Sequence, residues 1–347
     1  MRLNPLGRTG IKVTEACLGT MTFGQQNSEA EGHAIMDAAL AAGINFLDVA
    51  ETYPVPPIEK TQGASERIIG TWIKARRNRD KVVIATKVVG RATHFGYLRD
   101  AGGETRPNRR QIHEAVEKSL KRLQTDYIDL YQLHFPDRPM KTFGVPAAVA
   151  PAPDEVSIEE TLAAFGELVA QGKIRAVGVS NESAWGAMRY VMASEARGLP
   201  RIASIQNAYS LLARSFEMAL AEVAIREDVG LLAYSPLAQG YLTGKYQGGA
   251  LPQGSRKQLF DRLQRYENPG TEAIIDKYVA LARKHGLSPG AMSLAYARKK
   301  PFMTSLIFGA TSLAQLEENL AAFALDLPEE VTAGIDAIHR ERPNPAL

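Results

Sequence analysis

Four ionisable side chains stand at the ends of short apolar runs, and their types suit carbonyl chemistry. GINFLDVAETY (43–53) carries Asp48 and Tyr53 where an apolar run turns polar. VVIATK (82–87) ends in Lys87, and IDLYQLH (128–134) ends in His134. Tyrosine is a weak acid with a pKa near 10, and a nearby ammonium stabilises its phenolate and lowers that value. Lys87 is the expected ammonium, and Asp48 the group that keeps it charged and in place. His134 can orient a carbonyl oxygen or share in a proton relay. Such a set donates a proton and stabilises negative charge on oxygen, as carbonyl reduction requires when hydride reaches the carbon. With no CxxC pair and no redox-metal set, a nicotinamide is the economical hydride source. Lys87 is also the one obvious nucleophile, which leaves a Schiff-base lyase or aldolase open.

Three strands that deliver polar residues to one rim call for a scaffold that gathers strand ends. The eight-stranded α/β barrel does this, with its chemistry at the carboxyl ends of the strands. The chain has 347 residues, 45% hydrophobic and 23% charged, enough for a large core. One barrel domain spanning 1–347 can use the whole length. Net charge is +3 without a dense basic block, and Lys74, Arg76, Arg77 and Arg79 read as a helix end. Nucleic acid is not an expected partner. Cys17 is the only cysteine, which excludes an intrachain disulfide and fits a reducing compartment. No apolar leader and no long apolar run is present, so the expectation is a cytoplasmic enzyme without membrane contact.

Along the chain, 2–14 reads as a hairpin that caps the amino-terminal end of a barrel, followed by strands at 16–18, 44–47, 82–86, 128–133, 174–179, 203–205, 231–233 and 305–308. Helices are expected at about 28–42, 64–75, 107–123, 157–170, 183–197, 216–228, 271–285, 289–299, 312–321 and 328–340. Ser28 with Glu31 forms a capping box, and Pro107 suits a helix start. Three long loops, 90–106, 135–156 and 236–270, stand over the rim. An open doubly wound sheet is the competing arrangement. It usually carries GxGxxG after its first strand, whereas that position here reads LGTMTFG.

With these residues in place, the sequence resembles the aldo-keto reductase superfamily. The resemblance rests on GINFLDVAETY, IATK and DLYQLH, and on IQNAYSLLAR (205–214), LLAYSPLAQGYLTGKY (231–246) and IFGATSLAQLEENL (307–320). It extends over nearly the whole chain. Through GTMTFGQQNSEAEGH and ETYPVPP it is most similar to the bacterial Tas-like reductases, and more distantly to the β subunits of voltage-gated potassium channels. The resemblance implies a (β/α)8 TIM barrel with extra C-terminal helices that binds NADP(H) without a Rossmann domain. It implies Asp48, Tyr53, Lys87 and His134 as catalytic residues. Ser180, Asn181 and Gln206 would bond the nicotinamide carboxamide, with Thr20 and Met21 nearby, and Tyr234 would stack on the ring. Ser235, Pro236, Leu237, Gly240, Lys245 and Arg256 would hold the phosphates. Phe308, Gly309, Ala310, Thr311, Gln315, Glu318 and Asn319 would surround the adenosine. Many relatives carry a basic residue at the positions of Gly309 and Gln315. Here the 2′-phosphate would rely on Thr311, Ser312, the helix terminus, Gln315 and Arg256. NADPH is the expected cofactor, with some use of NADH.

The expected substrate pocket combines Met21, Phe23, Tyr53, Val55, His94, Phe95, Tyr97, Phe135 and the 137–156 loop, a mostly apolar set suited to hydrophobic aldehydes or ketones. Arg91 and Arg138 are candidates for a substrate carboxylate. A cofactor-binding regulatory subunit with slow reductase activity is the alternative function. The expected assembly is a monomer or a weak homo-oligomer, with no metal.

Overall fold

The computed structural model describes residues 1–140, 149–261 and 264–346. Its strands are β1 (Leu3–Pro5), β2 (Lys12–Thr14), β3 (Ala16–Gly19), β4 (Phe46–Asp48), β5 (Val83–Val88), β6 (Ile128–Leu133), β7 (Ile174–Ser180), β8 (Ile202–Ala208), β9 (Gly230–Tyr234) and β10 (Met303–Phe308). The helices are α1 (Glu29–Ala41), α2 (Ala64–Arg76), α3 (Arg109–Leu123), α4 (Ile158–Ala170), α5 (Ala184–Arg197), α6 (Leu220–Arg226), α7 (Arg256–Phe260), α8 (Thr271–Lys284), α9 (Pro289–Arg298), α10 (Leu313–Ala321) and α11 (Glu329–Glu341).

β3 to β10 close into an eight-stranded barrel in which β10 pairs with both β3 and β9, and every pairing is parallel. The open doubly wound sheet is therefore excluded. β1 and β2 pair antiparallel outside the barrel, with Leu3 opposite Thr14. Leu6, Ile11 and Val13 from this hairpin join Cys17, Phe46, Leu130, Ala203, Leu232 and Ile307 in one buried cluster. The hairpin thus stops the amino-terminal end of the barrel, as its sequence suggested. A larger apolar layer, including Ile35, Trp72, Ile112, Phe165 and Tyr190, fills the space between strands and helices. A third cluster, with Tyr241, Tyr278, Met292 and Val331, binds α8, α9 and α11 to the segment after β9.

Helix starts follow side-chain chemistry. Ser28 and Glu31 cap α1 reciprocally, while Asn108, Ser157, Ser183, Ser288 and Ser312 each accept a backbone N–H of the first turn. Asn108 rather than Pro107 is the cap of α3. β4 begins at Phe46, because the Asn45 side chain accepts from Thr14 N–H at 2.8 Å and donates to the Lys12 carbonyl at 3.0 Å. That polar link ties the hairpin to the barrel. The 216–228 helix is shorter than expected, a 3-10 turn followed by α6. Segment 90–106 forms a loop pinned by the Ala92–Thr105 bridge. The expected 135–156 loop falls partly on 141–148, outside the described residues. Among the described residues no helix is long and apolar enough to cross a membrane.

Candidate functional site

The parallel register sets Asp48 beside Ala85 and Lys87 beside Gln132, so β4, β5 and β6 deliver polar side chains at neighbouring heights. Beyond the strands the backbones close in further. A Cβ at Gly90 would lie 1.9 Å from the Phe135 carbonyl oxygen, so only glycine lets the β5 and β6 exits meet this way. His134 N–H donates to the Val88 carbonyl at 2.8 Å, which fixes where the imidazole leaves the chain.

Lys87 is fully buried, and its ammonium donates to Asp48 Oδ2 at 2.7 Å and to the Val49 carbonyl at 2.8 Å. Burial works against this charge, but the Asp48 carboxylate and the Tyr53 phenol outweigh it and hold the Lys87 pKa above its ordinary value. The ammonium lies 4.9 Å from the centre of the Tyr53 ring. The ring meets His134 edge to face at 5.9 Å. Burial raises the Tyr53 pKa, against the opposing pull of Lys87 and a smaller one from Arg256. Lys87 therefore acts in the expected direction, yet the phenol ends above its ordinary value and stays protonated at neutral pH. Burial, then the neighbouring Lys87 charge, pushes His134 well below the usual histidine range. Its imidazole is neutral, and Nδ1 has no hydrogen-bond partner among the described residues.

The residues expected around a nicotinamide form a connected wall. Gln206 Nε2 donates to Asp48 Oδ1 at 2.8 Å, and the Ser180 hydroxyl donates to the Gln206 carbonyl at 2.7 Å. Asn181 Nδ2 donates to the His134 carbonyl at 2.9 Å, while Asn181 Oδ1 accepts from the Tyr234 hydroxyl at 2.7 Å. The Thr20 hydroxyl and N–H both donate to the Asp48 carbonyl, and the Met21 carbonyl accepts from Val55 N–H. Two neighbours escaped the sequence reading. Gln132, inward on β6, contacts Gln206 at 3.3 Å. Arg265 reaches the Tyr234 phenol and donates to the Tyr266 hydroxyl at 2.7 Å. A polar residue inside the apolar run IDLYQL was the available signal for Gln132; Arg265 had none.

Past Tyr234 the chain turns through positive φ at Ser235, Ala238, Gln239 and Gly240, a backbone form that gathers amides around anions. The Ala238 and Gly240 amides are already bonded, to the carbonyls of Ser235 and Leu237. A Cβ at Gly240 would lie 2.5 Å from Lys245 Cε, so the lysine stem lies across this turn. Arg256 opens α7, and its charge reaches the Tyr53 phenol. The resemblance expects it at the cofactor phosphates. At the start of α10, Gln315 Oε1 accepts from both the N–H and the hydroxyl of Thr311 at 3.0 Å. Beside Gly309 the space is open, since a Cβ there would meet only the Gly19 carbonyl oxygen, at 3.6 Å. Phe308 and Ala310 are buried, and Asn319 Nδ2 donates weakly to the Gly309 carbonyl at 3.4 Å. Glu318 Oε1 accepts from the Ser288 hydroxyl at 3.0 Å.

Phe95, Tyr97 and Phe135 come together with Val89, Ala92 and Leu98 in an apolar cluster, and His134 and Phe135 lie 5.7 Å apart. Val55 is half-buried. Phe23 does not join them. It is fully buried in the layer beneath α1 and α2, against Gly32. Arg91 is engaged by both oxygens of Asp154 at 2.9 and 3.0 Å, and Arg138 pairs with Glu182, so each already holds a carboxylate.

A profile of the Aldo/keto reductase family matches residues 15–340. Protein tas of Escherichia coli is 47% identical over 351 residues, covering 100% of both chains. An uncharacterized oxidoreductase, YrpG, of Bacillus subtilis is 33% identical across 95% of this chain and 94% of its own. A probable voltage-gated potassium channel subunit beta of Oryza sativa is 31% identical across 99% and 98%.

Proposed function

The chain belongs to the aldo/keto reductase family, and we propose that Tyr53 is the general acid in its reduction of apolar aldehydes and ketones to alcohols. The family chemistry, NADP(H)-dependent carbonyl reduction by an oxidoreductase, is the chemistry of this chain. The observation that supports the assignment most is the convergence of a protonated phenol, a paired ammonium and a neutral imidazole at the exits of β4, β5 and β6.

The chemistry that NADPH would supply when bound is hydride for the carbonyl carbon. The Tyr53 hydroxyl gives its proton to the carbonyl oxygen, and the resulting phenolate is stabilised chiefly by the neighbouring Lys87 charge. Neutral His134 hydrogen-bonds the same oxygen and orients it, without being the proton source at neutral pH. Asp48 keeps Lys87 ionised and is itself held by Gln206. Protonated Lys87 has no lone pair with which to attack a carbonyl, which counts against the Schiff-base reading.

The donor set suits the cofactor. Tyr234, anchored by Asn181, offers its ring to the nicotinamide, and Ser180, Asn181 and Gln206 offer the carboxamide wall. Ser235, Pro236, Leu237, Gly240 and Lys245 would hold the phosphates, with the adenosine beside Gly309, Thr311 and Asn319. NADPH is preferred over NADH through Thr311, Ser312 and Gln315. Equal or tighter Kd for NADH rejects that preference. The apolar cluster of Phe95, Tyr97 and Phe135, with Val55, faces the substrate.

A carbonyl panel that includes 4-nitrobenzaldehyde and methylglyoxal, run with each cofactor, tests the reading. The expected result is NADPH oxidation, fastest with apolar aldehydes. No turnover across the panel would favour a regulatory, cofactor-sensing subunit instead.

A further inference from the structure

Between Asp48 and Tyr53 the chain carries a second acidic residue, Glu51, whose side chain is 1% exposed. Its carboxylate meets Arg99, fully buried, through two parallel hydrogen bonds of 2.8 Å each. Glu51 Oε1 also accepts Val89 N–H at 2.8 Å. Arg99 Nε donates to Gln111 Oε1 at 3.1 Å, and its Nη1 also reaches the Leu98 carbonyl at 3.3 Å. The family chemistry leaves this pair without a part.

The backbone explains where it acts. β4 pairs with β5 only as far as Asp48 opposite Ala85. Two further bonds continue the ladder, Val49 N–H to the Ala85 carbonyl at 2.9 Å and Glu51 N–H to the Lys87 carbonyl at 3.3 Å. The next donor on the β5 side, Val89 N–H, has no main-chain acceptor among the described residues, because the chain has begun to turn. Tyr53 N–H goes back to the Ala50 carbonyl at 3.0 Å. The Glu51 carboxylate stands in for the missing carbonyl. It lets the main chain leave the ladder, as it must to point Tyr53 toward the barrel axis, while the two strand exits stay joined.

We propose that the Glu51–Arg99 pair is the positioning device that sets Tyr53 against Lys87, and that it links this geometry to the loop bearing Phe95 and Tyr97. The proposal rests on the reading of Tyr53 as the acid. Arg99 arrives from that loop, whose other end is tied to the same hub. Gln111 Oε1 accepts from Arg106 N–H at 2.9 Å, and Gln111 Nε2 donates to the Glu104 carbonyl at 3.1 Å. Stability alone does not account for such a pair, since well-packed neutral residues commonly replace a buried ion pair without loss. What apolar residues lack is direction: an acceptor aimed at Val89 N–H and a planar fork that fixes its carboxylate in one orientation. A displacement of about 1 Å at a reacting group costs on the order of 10²-fold in rate.

The test is the neutral double variant Glu51→Gln/Arg99→Met, which leaves no buried charge unpaired. It is measured with NADPH and 4-nitrobenzaldehyde beside Tyr53→Phe. The double variant is expected to bind NADPH with unchanged Kd while kcat falls between about 10-fold and 100-fold. The basic limb of its kcat–pH profile moves to higher pH, because the phenol has lost alignment with Lys87. Wild-type kcat with an unmoved limb overturns the proposal, as does a loss of cofactor affinity equal to the loss of kcat. If the double variant does not fold, Arg99→Lys keeps the charge and removes the fork. Lowered kcat at unchanged NADPH Kd then supports the proposal, and wild-type kcat overturns it. Retained turnover in Tyr53→Phe would overturn both readings, whereas an inactive Tyr53→Phe beside a fully active double variant sinks only this one.

Discussion

The exits of β4 to β6 and the strap that follows β9 are built on opposite principles. At the exits, Lys87 and Asp48 are buried and paired with each other, and Asp48 also accepts from buried Gln206 of β8. In the strap, Lys245 is exposed, the helices are short, and α7 is held partly by Lys257 paired with Glu267. The first region is organised before any ligand arrives. The second offers an exposed charge and tight turns, and in the proposed reading it holds the cofactor phosphates. Damage at the exits should therefore cost stability and turnover together, whereas damage in the strap should cost affinity alone.

Lys87→Met gives the largest expected effect. It strands the Asp48 carboxylate in the core, at about 3–5 kcal/mol of stability, and lowers kcat by about 10²–10⁴-fold. Denaturant unfolding and steady-state rates read the two losses. Gln206→Leu removes one donor from Asp48 and is expected to cost about 1–3 kcal/mol by the same unfolding measurement. If either variant weakened cofactor binding and left stability intact, the contrast between the regions would be lost.

Lys245→Ala should do the converse. NADPH Kd rises about tenfold, the scale of one charge-assisted hydrogen bond, with an unchanged Tm. Gln315→Arg sharpens the comparison from the other side. A guanidinium at the start of α10 should raise the NADPH-to-NADH affinity ratio several-fold, as read from the two Kd values, without touching kcat.

The smallest effect concerns pH. Hydrogen bonding from Arg91 lowers the Asp154 carboxyl from its ordinary 3.8 to about 2. A depressed carboxylate contributes stability above its unfolded pKa and loses it as pH falls through the folded one. The tie between the 90–106 loop and Asp154 should hold at neutral pH and weaken between about pH 4 and pH 2. Asp154→Asn should remove a slight stability difference at pH 6 and change nothing at pH 2.

Much of the buried region was legible in sequence because strand ends announce themselves. An apolar run that stops at Asp48, Lys87 or His134 states both the strand and the side chain at its rim. Parallel pairing then brings the three together without further information. Phe23 was misplaced because an aromatic near a rim loop reads the same whether it faces a pocket or the layer beneath α1. Asn45 looked like a flaw in a strand, though its side chain serves the hairpin. Glu51 and Arg99 gave no periodic signal, since their partners lie far away in sequence. The reach of Arg256 to Tyr53 depends on how the strap folds back, which composition does not encode.

The most direct test of the proton donor is single-turnover oxidation of bound NADPH by 4-nitrobenzaldehyde in Tyr53→Phe. The phenyl ring keeps its place against His134 while the proton is gone. The result expected here is unchanged NADPH binding with hydride transfer slowed by about 10²–10⁴-fold. Near-normal transfer would contradict the assignment of Tyr53 and move the proton source elsewhere in the barrel.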